Sequence, residues 1–93
     1  MSDSQTQETS VEIVNRAGLH ARPAAEFVKL AARYPCEVAV EKDGLQVNGK
    51  SIMGVLMLAA ECGSRITIRC EGEEAPDALQ ALTDLVGRGF QEE

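Results

Sequence analysis

Aromatic residues are nearly missing from this chain of 93, which has one Tyr, two Phe and no Trp, so any core must be aliphatic. There is no aromatic platform on which nucleobases could stack. Basic residues are also scarce: nine Lys and Arg stand against fifteen Asp and Glu, a formal net charge of −6. That balance excludes non-specific nucleic-acid binding, which works by neutralising phosphates. The three cysteines, Cys36, Cys62 and Cys70, are odd in number and have no Cys-x-x-Cys spacing. Neither a disulfide framework nor a metal site is therefore expected, and the thiols read as reduced, as in the cytoplasm. No apolar run approaches the ~18 residues that a membrane span requires. Residues 1–10, MSDSQTQETS, lack the basic start and apolar stretch of a signal peptide and read as a disordered polar tail.

Residues 11–93 are enough for one domain with a single modest core. β-Branched residues dominate Val11–Val14, which reads as a strand. Ala24, Phe27, Val28 and Ala31 then recur at three- and four-residue intervals, which predicts an amphipathic helix over 21–33 that Pro35 ends. Cys36, Val38 and Val40 alternate with polar neighbours as in a half-buried strand. Asp43-Gly44 marks a tight turn, and Leu45 to Val47 return as a second strand. Ser51 is a capping residue before Ile52-Met53-Gly54-Val55-Leu56-Met57-Leu58, a short helix apolar on nearly all sides. Ile66, Ile68 and Cys70 alternate in the clearest strand, and Pro76-Asp77 opens a last helix striped with Ala78, Leu79, Leu82, Leu85 and Val86. The order β-α-β-β-α-β-α, with strands that have one wet face, predicts an α+β open-faced sandwich with helices on one face of a four-stranded sheet. Patterning alone leaves the strand order open.

The chemistry concentrates in Asn15-Arg16-Ala17-Gly18-Leu19-His20-Ala21-Arg22-Pro23-Ala24-Ala25, where the single histidine immediately precedes a helix. A helix start leaves main-chain N–H groups without intrahelical acceptors and carries the positive end of the macrodipole, so it suits an anion. Arg22 adds a planar donor fork matched to phosphate oxygens. Pro23 lies in the first turn, where its missing N–H costs nothing. An imidazole at that place is a candidate acceptor for a phosphoryl group, held by the same donors. A histidine so placed can also be a plain polar cap, and Arg16 reads as a solvated loop charge.

Gly18-Leu19-His20-Ala21-Arg22-Pro23-Ala24-Ala25 resembles the active-site signature of HPr, the histidine-containing phosphocarrier family of the phosphoenolpyruvate-dependent phosphotransferase system. Gly49-Lys50-Ser51-Ile52-Met53-Gly54-Val55-Leu56 is similar to that family's regulatory serine segment, in the same order and at about the same separation. The resemblance implies an antiparallel sheet of order 1-4-2-3. It also implies a monomeric carrier that takes a phosphoryl group on Nδ1 of His20 from phosphorylated Enzyme I and passes it to enzyme IIA domains. Arg22 would assist. Ser51 would be phosphorylated by a bifunctional HPr kinase/phosphorylase. Such a protein is an intermediate rather than an enzyme and needs no cofactor. Ile52, Met53 and Leu56 read first as core residues. By resemblance the exposed part of their helix, with Ala21 and the outer face of the first helix, is the surface that successive partners share.

Two other readings compete. Gly44-Leu45-Gln46-Val47-Asn48-Gly49-Lys50-Ser51 satisfies the G-x-x-x-x-G-K-[ST] pattern of a phosphate-binding loop. Its four inner residues alternate like a hairpin strand, however, and the chain is too short for a doubly wound sheet, so the match is coincidental. Alternatively, the domain is a regulatory binding module acting through Ser51 alone, against which stands the presence of both His20 and Arg22.

Overall fold

Alternation of apolar and polar residues decides which face of each strand is dry, and the sheet assembles around Val38, Val40, Ile66, Ile68 and Cys70, all buried on one side. The computed structural model describes residues 6–91. In chain order the elements are β1 (Thr6–Glu12), α1 (Ala21–Ala31), β2 (Glu37–Lys42), β3 (Leu45–Asn48), α2 (Ile52–Met57), β4 (Arg65–Glu71) and α3 (Ala75–Gly87), then a 3₁₀ turn at Gly89–Gln91. The four strands form one antiparallel sheet of order β1-β4-β2-β3. This is the 1-4-2-3 order that the resemblance implies. The three helices cover one face, with Phe27, Ala31, Val55, Leu82 and Val86 closing the aliphatic core.

The first strand differs from the sequence reading. It runs Thr6–Glu12 instead of Val11–Val14, so residues 6–10 belong to the sheet rather than to a tail. Residues 1–5 of that expected tail lie outside the described residues. Apolar alternation gives no sign of this extension because an edge strand gains its place through the ladder with β4, from Thr6 opposite Glu71 to Glu12 opposite Arg65. Glu8 and Glu12 stand across from Arg69 and Arg65, a favourable cross-strand arrangement. Ile13 leaves the strand to pack fully buried, donating its N–H to the Ser64 carbonyl at 2.8 Å and accepting from the Gly63 N–H at 2.7 Å.

α1 closes two residues before the predicted end. Arg33 N–H bonds the Leu30 carbonyl and Tyr34 N–H the Ala31 carbonyl at 3.0 and 3.2 Å, a tightened last turn ahead of Pro35. Lys50 Nζ donates to the Tyr34 carbonyl at 2.7 Å, satisfying a main-chain acceptor at this helix end. α3 begins one residue earlier than Pro76, which takes the first turn. Gly87 ends α3 as expected, but the chain then turns inward and buries Phe90 in the core.

Candidate functional site

The loop Ile13–His20 is held in shape by backbone hydrogen bonds. Gly18 occupies the left-handed region at φ +74°, and a Cβ there would come within 2.5 Å of the Ala60 carbonyl oxygen and 2.9 Å of Glu61 Cα, so only glycine fits. Leu19 N–H donates to that same Ala60 carbonyl at 2.8 Å. Together with the two Ile13 bonds, this stitches the loop before α1 to the loop after α2. Inside the loop, Asn15 is 1% exposed. Its Nδ2 donates to the Gly18 carbonyl at 2.8 Å, and its own carbonyl accepts from Gly18 N–H at 3.1 Å. His20 N–H also bonds the Gly18 carbonyl, at 2.9 Å.

His20 is therefore delivered to the N-cap of α1 with extended φ and ψ of −83° and −169°, and its carbonyl accepts Ala24 N–H at 2.9 Å. The imidazole does not cap the helix. It is exposed, as are Ala21 and Arg22 beside it. Ala21 and Arg22 occupy the first two helical positions, where main-chain N–H groups have no intrahelical acceptor. Pro23, at the third, has no N–H and is buried. Among the described residues no ion pair engages the Arg22 guanidinium. One turn of helix thus groups an imidazole, two main-chain donors and an exposed cation on open surface. That arrangement can accept a tetrahedral anion on the ring and stabilise its charge without enclosing it.

The second predicted segment behaves as its sequence suggests at Ser51 and differently beyond. Ser51 is half-buried at the N-cap of α2, its Oγ accepting Gly54 N–H at 3.1 Å. Val55 and Leu58 are buried, and Leu56 is half-buried against the core. Ile52 and Met53 are not core residues; they stand exposed with Met57, because α2 is apolar all round and packs mainly on α1 and β3. Arg16 is exposed on the loop. The phosphate-loop pattern is spread along the Asp43-Gly44 turn and β3, with Gly49 N–H bonded to the Val38 carbonyl at 2.7 Å, so it cradles nothing. A hollow of about 540 Å³ lined by Pro35, Cys36, Lys50, Arg69 and Glu71 includes none of the candidate residues. All three cysteines are free thiols.

Sequence reasoning missed Asn15, the Ala60–Ser64 clamp and Met57. The first had a signal, an Asn three residues before a Gly in a turn. The clamp had none, since it depends on strand order.

The family model described as the PTS HPr component phosphorylation site matches residues 7–88. The chain belongs to the HPr family. It is 48% identical over 83 residues to phosphocarrier protein HPr of Pseudomonas aeruginosa, covering 88% of this chain and 92% of that one. It is also 44% identical over 79 residues to HPr-like protein Crh of Bacillus subtilis, with 85% and 93% coverage. Among solved structures, HPr from Thermoanaerobacter tengcongensis aligns with a TM-score of 0.90 at 44% identity, over 94% of this chain and 98% of that one. HPr from Bacillus anthracis gives 0.84 at 47%, over 87% and 96%. The chain is thus an HPr phosphocarrier of the phosphotransferase system. Some neighbours are described as dimers, including one structure of the T. tengcongensis protein and a Crh with a swapped domain, so the comparisons do not carry the monomer implied by the resemblance.

Proposed function

We propose that His20 accepts a phosphoryl group from phosphorylated Enzyme I, which draws it from phosphoenolpyruvate, and donates it to enzyme IIA domains. In each step a nitrogen–phosphorus bond at His20 forms as the donor's bond breaks, or breaks as the acceptor's bond forms. The observation that carries this reading is the placement of the ring: exposed at the start of α1, not capping it, with exposed Ala21 and Arg22 at the first two helical positions. Charge on the bound group is stabilised, yet nothing buries it, which suits a group that must leave again. Exposed at the surface, His20 obtains the rest of its transfer geometry from the partner, so the chain acts as an intermediate rather than an enzyme and requires no cofactor.

Ser51 is the regulatory position, modified by an HPr kinase/phosphorylase. A phosphate there brings about −1.5 to −2 charge beside exposed Ile52 and Met53. Ala21, Ile52, Met53 and the accessible part of Leu56 form the partner-binding surface, and the charge hinders docking on it. All these groups belong to one chain, so we read the working unit as a monomer in the cytoplasm. No helix among the described residues is long and apolar enough to cross a membrane.

The test is labelling of the full chain by Enzyme I and isotopic phosphoenolpyruvate. The label is expected on His20, acid-labile, and chased onto a IIA domain. His20→Ala loses it while circular dichroism stays unchanged; a His20→Ala protein that still takes up acid-labile label refutes the assignment.

A further inference from the structure

The outward side of α2 is built from residues without charge, and two of them contain sulfur. Met53 and Met57 are 68% and 64% exposed and four residues apart, so they lie on one side of the helix. They are the only methionines among the described residues. Two of the three cysteines offer little to an oxidant. Cys36 and Cys70 are buried, and burial, then the adjacent Cys36, push the Cys70 thiol up to about 12, far from the reactive thiolate. Cys62 is exposed, with its Sγ against the Val14 carbonyl at 3.8 Å. A thioether, unlike a thiol, needs no ionisation to react.

We propose that Met53 and Met57 form a reversible oxidation site through which hydrogen peroxide turns off partner docking, an inference that rests on the reading of α2 as part of the docking surface. A sulfur lone pair attacks one peroxide oxygen. The O–O bond breaks as the S–O bond forms, and the second oxygen leaves as water, carrying the proton from the transferred oxygen. Each sulfur is oxidised by two electrons and the peroxide is reduced to water. The product, a sulfoxide, replaces a pliable apolar contact with a strong acceptor among Ile52 and Leu56, whose side chains have no donor to offer it. A partner that closes over it buries an unsatisfied polar group. A methionine sulfoxide reductase restores the thioether: two thiols supply two electrons and two protons and become a disulfide, and the sulfoxide oxygen leaves as water.

The test treats the full chain with hydrogen peroxide, removes the excess, locates added oxygen by peptide mass spectrometry and measures Enzyme I-dependent phosphorylation against carrier concentration. Oxygen is expected on Met53 and Met57, with KM raised about ten-fold and kcat little changed. Reductase treatment returns KM to its starting value. In the Met53→Leu/Met57→Leu double variant, peroxide leaves the rate at that variant's own untreated value. The proposal is overturned by an equal peroxide loss in the double variant, by an unchanged KM when both methionines are fully oxidised, or by an absence of oxygen at either. Untreated Met53→Ala separates the two readings. An unaltered KM there removes the docking surface itself, whereas a raised KM with peroxide-insensitive transfer in the parent protein removes only the oxidation site.

Discussion

Gly18→Ala puts the greatest demand on the reasoning about the His20 loop. Two costs can be worked from the structure. Holding a Cβ-bearing residue at φ +74° costs about 1–2 kcal/mol. The added methyl also lands 2.5 Å from the Ala60 carbonyl oxygen, a main-chain atom that cannot rotate aside. The loops must part, and the 2.8 Å bond from Leu19 N–H to that oxygen is lost, a further ~0.5–1.5 kcal/mol. Together these amount to about 1.5–3.5 kcal/mol, or a fall in Tm of roughly 6–28 °C for a domain of this size. Gly44→Ala is the matched control: its φ is +87° but nothing lies within 4 Å of the new methyl, so it bears the backbone cost alone. Thermal and urea unfolding of both variants give the difference, which reads the close approach. Phosphorylation rates provide a second measure, since parting the loops displaces His20 and slows transfer at temperatures where Gly18→Ala is still folded. Equal Tm values for the two variants, with normal transfer by Gly18→Ala, would refute the claim that the clamp sets the position of the ring.

Arg22→Ala is expected to leave the fold intact and slow transfer about 10- to 100-fold, the value of a charge-assisted hydrogen bond, in rapid-quench assays. Ser51→Asp weakens binding to Enzyme I in calorimetric titration, while Ser51→Ala costs about 1 kcal/mol of stability through the lost α2 cap and leaves binding near normal. Asn15→Leu removes the bond from Nδ2 to the Gly18 carbonyl, which keeps the His20 N–H as a donor; unfolding by urea should show a loss of about 0.5–1.5 kcal/mol. The Cys70 thiol, raised from 9.0 to about 12, stays protonated in the fold at pH values where the unfolded chain has lost the proton. Its contribution is thus complete below about pH 9 and declines as pH rises from there toward 12, by up to about 1.4 kcal/mol per unit. Cys70→Val removes that part of the alkaline slope, as denaturant unfolding at pH 8 and pH 10 will reveal.

How much of this was legible in advance depended on which physical signal each element carried. Strands with one dry face announced themselves by alternation, as at Val38-Ala39-Val40 and Ile66-Thr67-Ile68, and α1 by its stripe of Ala24, Phe27 and Ala31. β1 did not, because Thr6 to Ser10 join the sheet through main-chain bonds and bury almost nothing. Ser51 was identifiable as a cap from its type and position. The exposure of Ile52, Met53 and Met57 was not, since an apolar helix gives no indication of how little surface its neighbours supply. At the site, the sequence displayed the ring, the helix start and Arg22 in eleven consecutive residues. What fixes them in space is the buried Asn15, bonded to Gly18 within the same loop, and the Ala60–Ser64 segment, some forty to fifty residues away, which only the completed topology brings alongside.

Because every helix lies on the same side of the sheet, its other side is a wall of Glu41, Gln46, Thr67 and Arg69, polar and uncovered. A fluorophore or surface tether attached at Thr67 would sit on the reverse of the molecule from both helix starts. The carrier could then be immobilised and charged repeatedly, with each encounter recorded on one tethered molecule and its working side left open to solution.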